Sequence, residues 1–408
     1  MTDTQGRADY RTHQLAMAAL AATAFFASAP GQSFLIAVFV DDMLVGTGLS
    51  RTTFSGLYAA GTVVSAGSML VLGRIVDRHG LRAAWAVVSL ALALACGLAS
   101  LAAGALLAFL ALVTLRTFGQ GSLPLLGTLL VARNFEGRRG QAMAVANLGI
   151  TGASVLLPPV VATLIVAVGW RHSYQVLGLA LLLIVLPLAV FVKDGPPRPA
   201  AAPDPAAKPA TYPPATRRVR HGRFTIPTLS AGLMLLVLAG PPLVGTALTF
   251  HAVSILGEKQ LSFLQAGFAL SILGAASAAG TVVSGLLADR LSNRALLTML
   301  SATVMVAPLA LLVPHPAAAY AAYGVLGFTM GGMGVINGTV WARTYGVAQL
   351  GRIQGTAQSS MITAAALAPL VPAISQSLLG SYTGALVVFV IFSVLTTVVA
   401  ARWRVASD

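Results

Sequence analysis

The sequence predicts an all-α membrane protein, with twelve transmembrane helices in two pseudo-symmetric six-helix bundles. Three observations carry that expectation. Charged residues make up 9% of the 408 and hydrophobic ones 57%, whereas a soluble domain carries about 25% charged residues. Apolar stretches recur at or near the roughly 20 residues that a helix needs to cross the hydrocarbon core. A charged segment behind the second apolar stretch returns 212 residues later, from Gly73 to Gly285.

The stretches lie at 14–40, 50–72, 83–103, 105–131, 141–168 and 173–193, then at 224–256, 263–287, 295–313, 317–345, 353–379 and 380–401. Several exceed the minimum length, so tilt or irregular ends are expected. The first contains Pro30-Gly31, which can interrupt a helix. Ala27-Ser28-Ala29 looks like a leader-cleavage site, but Pro30 would follow the cut and the apolar run continues to Val40. It reads as an uncleaved first span. Between the two sets, Asp194 to Gly222 holds eight prolines and ends in a basic run completed by Arg223. Such a segment forms neither helix nor sheet. The expected organisation is a first bundle over 1–193, a proline-rich linker over 194–222 and a second bundle over 223–408.

A formal net charge of +14 suggests nucleic acid until the charges are placed. With the N-terminus cytoplasmic, 21 Lys and Arg fall on the inner side and three (Arg51, Arg171 and Lys259) on the outer side. Basic residues concentrate on the cytoplasmic side of membrane proteins. The charge is thus explained by a multi-pass protein of the plasma (inner) membrane with both termini cytoplasmic, and no nucleic-acid partner is expected. The single cysteine, Cys96, lies in an apolar run and reads as a small core residue.

Gly73-Arg-Ile-Val-Asp77-Arg78-His-Gly80-Leu-Arg82 and Gly285-Leu-Leu-Ala-Asp289-Arg290-Leu-Ser-Asn-Arg294 share their offset with Leu49-Ser50/Leu261-Ser262 and Pro30/Pro242. One offset across three features implies two copies of a six-span unit. Glycine allows close helix approach. An aspartate at a helix end can meet a partner helix terminus or an arginine. Two such segments in register therefore read as a charged latch that gates one side: Gly73, Asp77, Arg78, Gly80 and Arg82 with Gly285, Asp289, Arg290 and Arg294.

At these residues the chain resembles the major facilitator superfamily, whose loop motif G-x-x-x-D-R-x-G-x-R is matched from Gly73 to Arg82. The second copy has Ser292 at the second glycine. Arg116-Thr-Phe-Gly119-Gln120-Gly121 in the fourth span is similar to the family's second motif. The resemblance implies two six-helix bundles around a central cavity, rocker-switch transport and a monomer. Gly169-Trp170-Arg171 with Tyr174, and Tyr345-Gly346 before Leu350-Gly351, resemble the monocarboxylate and oxalate/formate branch. That branch usually has a basic residue in the eighth span, or a lysine in the first or eleventh. Here the eighth span is uncharged and the other two lack lysine, so its anion site does not transfer.

All eleven acidic residues fall outside the spans or at their ends, with Asp41 and Asp42 near the outer mouth. This counts against antiport through an acid in mid-membrane. Arg116 is the one basic residue at membrane depth, about 18 Å along its helix from the outer end. Two readings stay open for it: contact with an anionic substrate, or hydrogen bonds to backbone and polar groups between helices. His251 in the seventh span is either a titratable group for proton coupling or a neutral residue of the wall. Gln32, Gln120, Asn337 and Gln358 are further substrate-binding candidates, each with interhelical hydrogen bonding as the plain alternative. Asn147 and Gln354 are lesser ones.

No nucleotide loop, metal-ligand cluster or nucleophile elbow appears in the sequence. The segment from Gly73 to Arg82 lacks the Gly-Lys-Ser/Thr ending of a phosphate loop. No cofactor, metal or enzymatic activity is expected. The function expected is secondary active transport of a small organic anion, a proton-coupled monocarboxylate being the leading case. Export of drugs or metabolites is the alternative, and a non-transporting membrane sensor a remote one.

Overall fold

A computed structural model describes residues 2–135, 139–193, 230–288, 290–345 and 350–402. Side chains are described within these except at 2–12, 68–77, 139, 140, 230, 342, 345 and 350–355. The proline-rich segment 194–222 and Asp289 lie outside the described residues.

The first half opens with α1 (Thr2–Ala27), a 3-10 turn at Ala29–Gly31 and α2 (Ser33–Thr47), which together form one broken span. Pro30 cannot donate a backbone hydrogen bond. The chain tightens to the Gly31 N–H→Ser28 O bond and then extends at Gln32 (ψ 146°), whose carbonyl starts α2. Spans two and three are one helical run, α3 (Arg51–Ser100), broken only at Gly80 (φ 79°, ψ 168°). The motif is therefore a one-residue hinge rather than the ten-residue loop expected between 72 and 83. Its positive φ is a conformation that glycine reaches without a Cβ clash. In the second copy Ser292 sits at φ −68° and accepts a hydrogen bond from Ala295 N. The serine there turns the chain as an ordinary helix N-cap.

Span four joins α4 (Gly104–Leu115) to α5 (Leu123–Asn134) through a π-helical stretch, Arg116–Ser122. Pro124 lacks an amide donor, and the wider turn is sealed by the Leu123 N–H→Phe118 O and Ser122 Oγ→Thr117 O bonds. Spans five and six run through α6 (Arg139–Ala180), broken at Gly169 (φ 80°), into a π turn at Leu181–Val185. Trp85 Nε1 donates to Val185 O at 2.9 Å where that helix loosens.

The second half holds α7 (Ser230–Phe250) with α8 (Ala252–Glu258), then α9 (Phe263–Ala288), α10 (Asn293–Leu312) and α11 (Pro316–Tyr345). It ends with α12 (Leu350–Leu367) and α13 (Leu370–Leu379), followed by α14 (Thr383–Arg402). Ten stretches of described residues are long and apolar enough to cross a membrane. One of them, Gln141–Phe191, is two spans divided at Gly169, and the part of α3 before Gly80 completes the twelve. The turns near Gly80 and Ser292 mark one end of the bundle, the motif end. Those at Gly48, Gly169, Gln260 and Gly380 mark the distal end.

Lipid gives little hydrophobic drive for helix association, so close packing of small residues must supply it. A Cβ on Gly280 would lie 2.0 Å from Phe328 O, one on Gly327 2.1 Å from Leu273 O, and one on Gly331 1.8 Å from Ser277 O. The α9–α11 seam is thus backbone against backbone. Gly149 makes the same approach to Ala22 O in the first half, at 1.9 Å. Large apolar side chains such as Val45, Leu106 and Leu378 stand exposed, as a lipid-facing surface requires.

Candidate functional site

Two polar assemblies stand out, one at mid-span and one at the distal end. At mid-span, α1 and α2 cross span four through two glycines. A Cβ on Gly119 would lie 2.6 Å from Gly31 N, and one on Gly31 2.7 Å from Gln120 N. Arg116 opens the π stretch beside this crossing and is only 1% exposed. Its Nε donates to Thr62 Oγ1 at 3.1 Å, and one terminal nitrogen donates to Gly31 O at 3.3 Å and Ser33 Oγ at 3.2 Å. The guanidinium lies over the Tyr58 ring, 4.6 Å from its centroid. Tyr58 in turn shares a 2.7 Å hydrogen bond with Ser33. Among the described residues its hydrogen-bond partners are uncharged. The arginine pins the broken first span to span two, and its positive charge is met there by a carbonyl, two hydroxyls and the face of the Tyr58 ring.

The crossing brings Gln32 and Gln120 to the same place. Gln32 is half-buried and donates to Ser28 Oγ at 3.1 Å, whereas Gln120 is exposed. Asn337 and Gln358 belong to the other half. Asn337 Oδ1 accepts from Trp341 Nε1 at 2.9 Å, one turn along α11, and Gln358 is exposed on α12. Asn147 is exposed and bonds back to Met143 O. The Gln354 side chain lies outside the described residues.

At the distal end the halves are joined directly. Asp41, on the last turns of α2, accepts from Arg51 at 2.6 Å and from Ser254 Oγ of α8 at 2.6 and 2.8 Å. Phe250 packs on Phe54 and Tyr58, with centroids at 6.2 and 4.4 Å. Thr52 Oγ1 reaches Ala373 O at 3.5 Å. His251 is fully buried at the α7–α8 break, with Nε2 paired to Pro369 O at 2.9 Å and its ring 5.6 Å from that of Tyr382. The first span runs to Thr47, past the expected end at 40, so both aspartates sit within helix α2. Paired contacts offset the cost of a carboxylate at that depth.

Arg171 holds this end of the first half together. It donates to Ser100 O, Ala102 O and Gly46 O at 2.9, 3.1 and 3.2 Å. These are the orphan carbonyls of two helix C-termini, a favourable place for a cation. At the motif end Arg343 plays the same part, donating to Leu291 O and Ala288 O. Of the expected latch residues there, Arg78, Arg82, Arg290 and Arg294 are exposed, Gly80 is the hinge and Gly285 has open space where a Cβ would stand. The side chains at 73 and 77 lie outside the described residues.

Sequence reasoning missed Tyr58, Thr62, Ser254 and Tyr382. Tyr58 and Thr62 carried a signal, being one turn apart on one helix face. Ser254 and Tyr382 carried none, because only the folding of the second half brings them to Asp41 and Arg51.

The family model described as Major Facilitator Superfamily matches residues 20–342. The chain belongs to the major facilitator superfamily. As a superfamily member it is a multi-pass membrane transporter. Among solved structures, a bacterial homologue of the human lysosomal transporter Spinster, inward-facing and unoccupied, has TM-score 0.70 at 14% identity, with 96% of each chain covered. The inward-facing, occupied form gives 0.69 at 15%, covering 97% of this chain and 99% of that one. A D-xylose–proton symporter gives 0.71 at 16%, covering 95% and 97%. At these identities the likeness establishes the fold alone. No curated protein matches the chain.

Proposed function

We propose that this superfamily member is a secondary active transporter of a small organic anion, a monocarboxylate carried with a proton. It works by rocker-switch alternating access between bundles 1–193 and 223–408, with 194–222 as the linker and the motif end in the cytoplasm. The observation that carries the reading is Arg116, a buried cation at mid-span whose hydrogen-bond partners among the described residues are neutral. Such a charge attracts an anion by on the order of 2 kcal/mol at about 7 Å and an effective dielectric of about 20. It repels cations equally.

Arg116 then acts through its field and by holding the Gly31–Gly119 crossing. Gln32, Gln120, Asn337 and Gln358 supply hydrogen bonds to cargo as the cavity opens, and His251 is the candidate for the proton. Gly73, Asp77, Arg78, Gly80, Arg82, Gly285, Asp289, Arg290 and Arg294 form the cytoplasmic gate.

The test is uptake of labelled carboxylates into proteoliposomes under an imposed pH gradient, with Arg116→Ala as control. The reading expects pH-driven carboxylate flux that the variant loses. Flux of neutral or cationic drugs, with none for any carboxylate, would replace it with the exporter reading.

A further inference from the structure

Three buried polar atoms that find no hydrogen-bond partner among the described residues gather around one ring at the distal end. They are Arg51 Nη1, the Tyr382 hydroxyl and His251 Nδ1. The Arg51 guanidinium carbon is 6.0 Å from the Tyr382 ring centroid and the His251 ring 5.6 Å from it. Tyr382 is 2% exposed and His251 fully buried. A buried polar atom left unpaired carries a desolvation penalty that nothing offsets, so three together mark a place built to hold something more.

What it holds follows from the donors. The Arg51 guanidinium has a planar fork that suits a carboxylate. One arm of that fork already grips Asp41, the other has no partner among the described residues, and the guanidinium carbon lies 6.0 Å from the Tyr382 ring centroid. Ser254 offers its proton to the same Asp41 carboxylate. Charge sets the limit. Asp41 is already present, Asp42 follows it, and Glu258 touches the Tyr382 backbone N–H at 3.4 Å. A second anion beside these is repelled unless it replaces Asp41 on the arginine. Protein does not fully cover the pair, since the Arg51 and Asp41 side chains are 18% and 35% exposed.

We propose that Arg51, Tyr382 and Ser254 form an entry subsite for a carboxylate. Asp41 is its resident occupant in the closed state, and an incoming carboxylate displaces Asp41 and so releases the first half from the second. This deepens the anion-transport reading and rests on it for the ligand class. A ligand shifts a conformational equilibrium only by binding one state better. Here the open state gains two donors that the closed state gives to Asp41.

The test follows outer opening rather than flux. Ser55 is fully buried, one turn deeper than Arg51 on the same helix, and the single native Cys96 is buried too. In full-length Ser55→Cys, reaction with a membrane-impermeant thiol reagent reports opening of the distal end. Acetate, which carries the same headgroup as Asp41, is the probe, with chloride at equal ionic strength as reference. The expected result is labelling about threefold faster or more in acetate. Adding Arg51→Gln should make labelling fast and indifferent to acetate. Adding Arg51→Lys should keep it slow and shift the response to higher acetate. Equal labelling in acetate and chloride, or an acetate response that survives Arg51→Gln, overturns the proposal. An acetate response without carboxylate flux in proteoliposomes leaves the subsite standing and removes the transport reading. Carboxylate flux without an acetate response does the reverse.

Discussion

Arg116 is a charged side chain only 1% exposed at mid-span, a costly position in a membrane. Its burial is met by a carbonyl, two hydroxyls and the face of an aromatic ring. Lysine cannot reproduce that arrangement, because one compact ammonium cannot span Thr62, Gly31 and Ser33 while lying flat on Tyr58. Arg116→Lys should therefore destabilise the protein by about 2 kcal/mol, read as a lower thermal midpoint in detergent. An unchanged midpoint would show that the contacts are incidental. Gly119→Ala makes a second case. Its methyl would meet Gly31 backbone at 2.6 Å, and backbone cannot swing aside, so a loss of about 1–3 kcal/mol is expected in the same assay. The sequence showed Arg116 to be the one cation at depth, since one charge in an apolar span is visible by inspection. It did not show the partners, which come from two other spans, and it left both contact with cargo and structural bonding open.

Helices and their breaks depend on fewer residues and were easier to read. Apolar length placed the spans, and Pro30-Gly31 foretold the break in the first. In the sequence Arg74, Arg78 and Arg82 look like a polar connection and predict a longer loop at Gly80, whereas the helix continues on either side of the hinge and leaves Arg78 and Arg82 exposed. The two motif copies give a contrast. Gly80→Ala forces a Cβ into φ 79°, ψ 168°, a region essentially reserved for glycine, and should cost about 1–3 kcal/mol. Ser292→Ala loses only a helix cap, about 1 kcal/mol, and should speed amide exchange in the first turn of α10 alone. Equal costs at the two sites would contradict the hinge. At the distal end, Arg171→Ala strips donors from Ser100, Ala102 and Gly46. Amide exchange over the last turn before Leu101 should accelerate, and no change there would remove the clamp. The π turns at Arg116–Ser122 and Leu181–Val185 had no such cue beyond a nearby proline.

At the level of the whole molecule, the two-bundle architecture was legible from the 212-residue offset, because duplication leaves its trace in sequence. The seal between the bundles was not, since Ser254 lies 213 residues from Asp41 and it and Tyr382 meet the neighbouring Asp41 and Arg51 only when both halves are folded. The central claim is that this seal and the motif end open in alternation. Spin labels at the exposed distal positions Leu101 and Leu379, and at Ala83 and Ala295 near the motif end, report both separations. Cys96, fully buried, stays silent. The direct measurement is pulsed electron–electron distance in Asp41→Asn, which keeps the shape of the residue and removes the charge that holds Arg51. Alternation predicts a longer distal distance together with a shorter one at the motif end. A longer distal distance with the motif end unmoved, or no change at either end, would contradict it.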